Sequence, residues 1–345
     1  MIRSTWRSPS NIALVKYWGK KGIQLPANPS LSFSLDSCYT ETSVSIDDKS
    51  EEAPYQIEVY VDGEPREAFI PKIAQFFDKV KDQFPWISEY SIKVETHNTF
   101  PHSSGIASSA SAFSALAQCL CTIDQQLNSQ KKWEQNEVSS IARLGSGSAC
   151  RSVAGGLMMW GKHNDYPGSN DEYAVSHTDI HPVFNDYQDV ILLVHKGEKS
   201  VSSTVGHGLL KGHPFAEARF EQAVQNMSRL KSVLASGDLD AFVELVESEA
   251  LTLHAMMLSS SPSFILMKEN TLSIINAIRD FREQYKVPVC FTLDAGANVH
   301  MLFPKTEKDR VMAWVDEKLK TFCENDAYIC DQVGKGPVEI TSKHA

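Results

Sequence analysis

The chain has 345 residues and a formal net charge of −10 at pH 7, with 42% hydrophobic and 22% charged residues. That length has room for two lobes, and the negative charge argues against nucleic acid or an anionic membrane surface as the main partner. No apolar run reaches membrane-spanning length, no signal-peptide core is expected at the start, and seven Cys without a CxxC pair read as reduced thiols of a cytosolic protein.

Residues 3–17 read as extended, with Pro9-Ser10 as a break. The apolar run 12–15 leads into Lys16, Tyr17, Trp18, Gly19 and Lys20. Lys16 directly follows residues that should be buried, and a buried lysine needs a partner; solvated strand-end charge is the plainer account of Lys16 and Lys20. Residues 25–30 form a loop, short strands follow at 31–35, 40–46 and 56–61, and Asp62-Gly63 is a turn. Ile73, Phe76, Phe77 and Val80 share one helix face.

A strand at 92–96 runs into a loop of Pro, Ser and Gly, followed by Ile106, Ala110, Phe113, Ala117 and Leu120 at helix spacing. A small-residue loop opening onto a helix N-terminus offers unpaired N–H groups and the positive end of the helix dipole, which suits phosphate. Ser103, Ser104, Ser108 and Ser109 add hydroxyls, and Gly105 lets a ligand approach the backbone. The dipole contributes only ~0.3–1 kcal/mol, so a triphosphate would need cations as well. An Ala/Ser-rich helix packed tightly in a core, with Gly105 merely a turn, accounts for the same pattern. No lysine follows the glycine, so this is not a P-loop.

Val138, Ile141 and Ala142 face inward on a helix that should end at Gly145 as its C-cap. Residues 145–152 make a second small-residue loop, which is neither GxGxxG nor GxSxG. It carries Arg151, either a surface charge or, better, a guanidinium aimed at a carboxylate or phosphate. Gly155-Gly156 leads to a strand at 157–160, and the polar stretch 162–186 marks a lobe boundary. His177 and His181 lack a third ligand, which excludes a zinc site.

A strand at 190–194 precedes a third hydroxyl-rich segment, 199–206. A helix over 215–235 should bury Phe220, Val224, Met227, Leu230 and Leu234; the next should bury Phe242, Leu245 and Val246. His254, among apolar residues, reads as a buried, hydrogen-bonded histidine. A further helix carries Leu272, Ile275, Ile278 and Phe281. Strands at 289–293 and 299–303 flank the tight turn 294–298; a helix near 307–322 and a strand near 328–333 follow. Asp294 is either an Asx-type turn residue or a carboxylate on a rigid tip, able to deprotonate a hydroxyl. Strands and helices mix without a regular βαβ period, so the fold class is α+β.

Together, residues 11–20, 100–110, 145–152, Val201-Ser202-Ser203-Thr204 with Gly206, and Asp294-Ala295-Gly296 resemble the mevalonate diphosphate decarboxylases, members of the GHMP kinase superfamily, in the family's order and over nearly the whole chain. The resemblance implies an N-terminal lobe like ribosomal protein S5 domain 2 over 1–187 and a ferredoxin-like lobe over 188–345, with the site between them. It implies ATP-dependent conversion of mevalonate 5-diphosphate to isopentenyl diphosphate, ADP, phosphate and CO2 in isoprenoid synthesis. ATP, Mg²⁺, a cytoplasmic setting and a homodimer come with it; no metal-ligating residue is singled out, since Mg²⁺ would be bound mainly through the ATP phosphates.

By the same resemblance, Asp294 takes the 3-hydroxyl proton and Lys16 keeps it ionised, while Arg151 clamps the carboxylate with Asn11 as a partner. Tyr17, Lys20, Ser146, Gly147 and Ser148 hold the 5-diphosphate. Asn98, Ser103, Ser104, Gly105, Ser108, Ser109, Ser202 and Ser203 hold ATP. The chain departs from the family pattern at His102, Ser103, Ser104 and Ile106, at Pro29 and at His207, which stands where a Met is common. A related 3-kinase, a monophosphate decarboxylase, or a non-catalytic binding protein of the same fold are the alternatives.

Overall fold

A computed structural model describes residues 2–49, 54–101, 105–197 and 203–340. The first of its two large sheets is organised on two long antiparallel strands, β1 (Ile2–Val15) and β4 (Ser30–Asp48). Between them β2 (Lys20–Lys21) and β3 (Leu25–Pro26) form a short hairpin. β5 (Gln56–Val61) and β6 (Glu64–Pro65) turn at Asp62 and Gly63, both at positive φ. β7 (Tyr90–Asn98) lies antiparallel to β4 and parallel to β5. β8 (Leu157–Trp160) pairs with the beginning of β4, and β9 (Ala174–His177) pairs with β8.

Helices α1 (Ile70–Val80), α2 (Ser108–Leu127) and α3 (Gln135–Gly145) cover this sheet. Ile73, Phe76, Phe77 and Val80 of α1 share a core with Phe113 and Leu120 of α2 and with Val44 and Val94 of the sheet. The faces that sequence spacing marked as apolar are the ones buried, because only that stripe can leave water as a unit.

The second sheet is antiparallel and four-stranded, in the order β11 (Cys290–Thr292), β12 (Val299–Phe303), β10 (Gln188–Leu192), β13 (Tyr328–Gln332). It is accompanied by α4 (Ser203–Gly208), α5 (Ala216–Ser236), α6 (Leu239–Leu258), α7 (Glu269–Tyr285) and α8 (Lys308–Glu317). The chain then returns. β14 (Val338–Glu339) pairs with β1 at Arg7 and Trp6, and Gly334 N–H donates to Ser34 C=O at 2.8 Å. The chain therefore crosses between the sheets after β9 and again after β13.

Several local expectations change. Pro9-Ser10 does not break β1; the register slips there and the strand continues. The two strands expected at 31–35 and 40–46 are one, β4, because Asp331 accepts the N–H groups of Asp36, Ser37 and Cys38 at 2.7–2.8 Å and carries the chain through the gap. α3 ends at Gly145 as expected, but the residue that caps it is Ser146 in extended backbone, and a Cβ on Gly145 would lie 2.0 Å from the Phe113 ring. Val224 is 43% exposed while Ala223 is buried, and Leu272 is 49% exposed while Ile274 is buried. The rest of the expected stripes hold, with Met227, Leu230 and Leu234 buried on α5 and Ile275, Ile278 and Phe281 on α7, so of those stripes only a flank residue of α5 and the first-turn Leu272 of α7 face solvent.

Candidate active site

The loops at the ends of β1, β7, α3 and β11 converge on a cavity of about 520 Å³, within the usual range for a small-molecule site. Asn11, Lys16, Tyr17, Lys20, Asn98, Ser108, Ser109, Ser146, Gly147, Ser148, Arg151 and Asp294, all singled out in the sequence, line it. Gly105 stands beside it at φ +89°, and a Cβ on it would lie 4.0 Å from Gly296 Cα, so Gly105 meets the Asp294 turn. Ser103, Ser104 and Ser202 lie outside the described residues, as does the Ser203 side chain; Ser203 begins α4.

Lys16 follows the last residue of β1, and its side chain is 2% exposed. Its ammonium meets Asp294 Oδ1 at 3.1 Å, joining chain segments 278 residues apart. Burial lowers the Lys16 pKa; Asp294 first and then Glu249 oppose that, and Arg151 adds to it. The Asp294 side chain is 24% exposed, and its backbone C=O lies 3.1 Å from His254 Nε2. A carboxylate open to the cavity beside a dry ammonium is suited to accept a proton from a bound hydroxyl.

Arg151 is 3% exposed. Its Nε donates to Asn11 Oδ1 at 3.4 Å, Nη1 donates to Ser30 Oγ, and the guanidinium lies 5.9 Å from the Trp160 ring centroid. Among the described residues no carboxylate forms a salt bridge with it. Asn11 is itself anchored, donating to Ser152 Oγ at 2.8 Å and Ser148 C=O at 3.3 Å. The guanidinium plane is thus set by two neutral acceptors, and its charge is left for a ligand.

The two small-residue loops touch through Ser109 Oγ and Ser146 Oγ, 3.2 Å apart. Ala107 precedes α2 in the left-handed conformation, which turns the chain so that Ser108 and Ser109 open the helix toward the cavity. Asn98 Oδ1 accepts from Thr40 Oγ1 at 2.7 Å. Gly147 must be glycine, since a Cβ would lie 2.6 Å from Tyr17 Oη and 2.9 Å from the Trp160 ring. Burial lowers Lys20 to about 8, and the positive charges of Lys79 and Lys72 contribute in the same direction. An anion bound beside it would raise that pKa again and hold its charge.

Sequence reasoning missed two parts of the site. One is the slot between α1, β5 and β7, where Val59, Val61, Phe69, Lys72, Val94 and Thr96 line the same cavity. Val59 with Val61 and Val94 with Thr96 stand two apart along their strands, a visible signal for one shared face. The other is His207, whose ring lies 4.3 Å from Tyr17 and 4.8 Å from Trp18, centroid to centroid. Its Nδ1 accepts from Gly19 N–H at 3.0 Å, which puts the proton of the neutral ring on Nε2. Burial lowers its pKa to about 3.

A two-lobed α+β chain with the first turn of α2, at Ser108 and Ser109, in the wall of a cavity that also holds an Asp–Lys pair has the GHMP kinase fold of the solved structures it matches. The family model for the diphosphomevalonate decarboxylase-like N-terminal domain matches residues 8–174, and that for the mevalonate 5-diphosphate decarboxylase C-terminal domain matches residues 189–343. The Diphosphomevalonate decarboxylase mvd1 of Aspergillus fumigatus is 30% identical over 331 residues, covering 90% of this chain and 78% of that protein. The mevalonate diphosphate decarboxylase structure from Staphylococcus aureus is 30% identical, with a TM-score of 0.84 over 98% of each chain. A solved complex of MDDEF with MVAPP, AMPPCP and magnesium is 28% identical, with a TM-score of 0.85 over 99% of each chain. The chain belongs to the diphosphomevalonate decarboxylase family.

Proposed function

We propose that this protein converts mevalonate 5-diphosphate and ATP to isopentenyl diphosphate, ADP, phosphate and CO2, working as a homodimer in the cytoplasm. The observation that carries the chemistry is the Lys16–Asp294 contact at 3.1 Å in one cavity with the buried Arg151, which forms no salt bridge among the described residues. Seven free cysteines, six of them buried, agree with a reducing compartment.

In this reading residues 1–187 form the lobe holding the phosphate loop, and residues 188–345 supply Asp294. Asp294 accepts the proton of the tertiary 3-hydroxyl as its oxygen takes the γ-phosphoryl group. Lys16 offsets the charge that develops there. Arg151, held flat by Asn11 and Ser30, clamps the substrate carboxylate so that the C1–C2 bond lies in line with the departing C3–O bond. Electrons of C1–C2 then become the C2–C3 double bond, releasing CO2 and phosphate. Tyr17, Lys20, Ser146, Gly147 and Ser148 hold the 5-diphosphate. Asn98, Ser103, Ser104, Gly105, Ser108, Ser109, Ser202 and Ser203 hold ATP phosphates, with the apolar slot beside Lys72 for the base. Ser108 and Ser109 in the cavity wall carry hard hydroxyl oxygens that would suit magnesium through its waters, and the ion would neutralise the triphosphate charge.

The test is to supply ATP and Mg²⁺ with mevalonate, its 5-phosphate or its 5-diphosphate, and to measure ADP and CO2 together. Equal amounts of both with the diphosphate alone are expected. ADP without CO2 would make the protein a 3-kinase, and no product with any of the three would refute the reading.

A further inference from the structure

Lys16 lies just beyond the final β1–β4 ladder pair, Val15 with Leu31. Its backbone groups are buried past the point where the sheet could bind them. Its N–H donates instead to Glu249 Oε2 at 2.9 Å, and its C=O accepts from Arg219 Nη2 at 3.3 Å and Asn28 Nδ2 at 2.9 Å. Arg219 and Glu249 sit on α5 and α6, with side chains 1% and 0% exposed. They bind each other at 3.1 and 2.6 Å, and Asn226 Nδ2 donates to Glu249 Oε1 at 2.6 Å.

A buried ion pair of this kind is weak evidence for stability. Its desolvation cost rivals its attraction, and apolar side chains of similar volume often serve as well. What apolar side chains cannot do is hydrogen-bond the backbone on both sides of Lys16. Further along α6, His254 lies 3.1 Å from the Asp294 C=O. One helix therefore grips the backbone behind each member of the Lys16–Asp294 pair.

We propose that Arg219 and Glu249 are positioning residues for Lys16, with α6 acting as the common support that sets its ammonium against Asp294. The negative charge of Glu249 also helps Lys16 keep its proton against burial. The consequence for rate rests on the function proposed above; the geometric claim does not.

The test is the double variant Arg219→Met/Glu249→Met, with Glu249→Gln as the milder change should the double variant fail to fold. Crystal structures and steady-state kinetics are compared with the wild type. The Lys16–Asp294 contact should open beyond hydrogen-bond reach, with KM for both substrates within about threefold and kcat down ~10²-fold, the cost of roughly 1 Å of misplacement. Glu249→Gln should fall between the double variant and the wild type. An intact contact overturns the proposal whatever happens to the rate, and so does an unchanged kcat or a loss confined to KM. Should the wild type not release CO2 from mevalonate 5-diphosphate, the proposed reaction fails, while the contact distance still decides the positioning claim.

Discussion

Lys16 shows how far a single residue can be understood before its partners are known. The apolar run before Lys16 left two readings open, a solvated strand-end charge as the plainer one and a buried lysine in need of a partner, and the second holds, since Lys16 is 1% exposed. The partner, Asp294, stands 278 residues on, a distance that no local pattern encodes. Arg219 was illegible for the same reason: it occupies the inward stripe of α5 because Glu249, on another helix, neutralises it. Replacing Asp294 by Asn should preserve folding and substrate binding while lowering kcat ~10²–10⁴-fold, the scale of a positioned acid–base group. Steady-state kinetics beside a binding titration check this, and near-normal turnover would remove the assigned role. Arg151→Lys should not be conservative, because an ammonium cannot span Asn11, Ser30 and a bound carboxylate in one plane. Losing a charge-assisted hydrogen bond of ~1.5–3 kcal/mol predicts a fall of about 10–150-fold in kcat/KM. Unchanged constants would dissolve the clamp.

At the scale of elements, sequence spacing located the buried faces of α1, α2 and α3, since a helix touching one sheet hides one stripe. It failed where a distant side chain substitutes for the backbone. β4 was read as two strands because Asp36 and Ser37 are exposed polar residues, and the carboxylate bridging them comes from β13. The turn after α3 was legible as a site but not in its tightness. Its Gly147 is packed under Tyr17 and Trp160. Gly147→Ala should cost about 1–3 kcal/mol through overpacking, measured by denaturant unfolding, and should raise KM by displacing Tyr17 from the cavity wall. An alanine variant with wild-type stability and KM would show that the wall can move.

For the whole molecule, acid stability reflects histidines kept neutral by burial. His254 is lowered to about 4 and His207 to about 3, mainly by desolvation. An unfolded histidine titrates near 6.5, so between that value and the folded pKa the unfolded chain binds more protons. The stability these groups give is complete above about 6.5 and is lost as pH falls toward 4 and 3. For His254 alone the loss by pH 4 is on the order of 3 kcal/mol. The drop in Tm between pH 7 and pH 4 should therefore be smaller in His254→Gln than in the wild type; equal drops would refute the assignment. The α+β class was legible in the sequence, but the return of β14 was not, because two residues carry no periodicity. That return ties the sheets at two places, after β9 and after β13. Ile12, Leu14 and Phe33 of the first sheet already share one buried core with Met227, Phe242 and Leu302, so the return fastens a seam that is packed along its length, and the cavity is walled from both sides of one core.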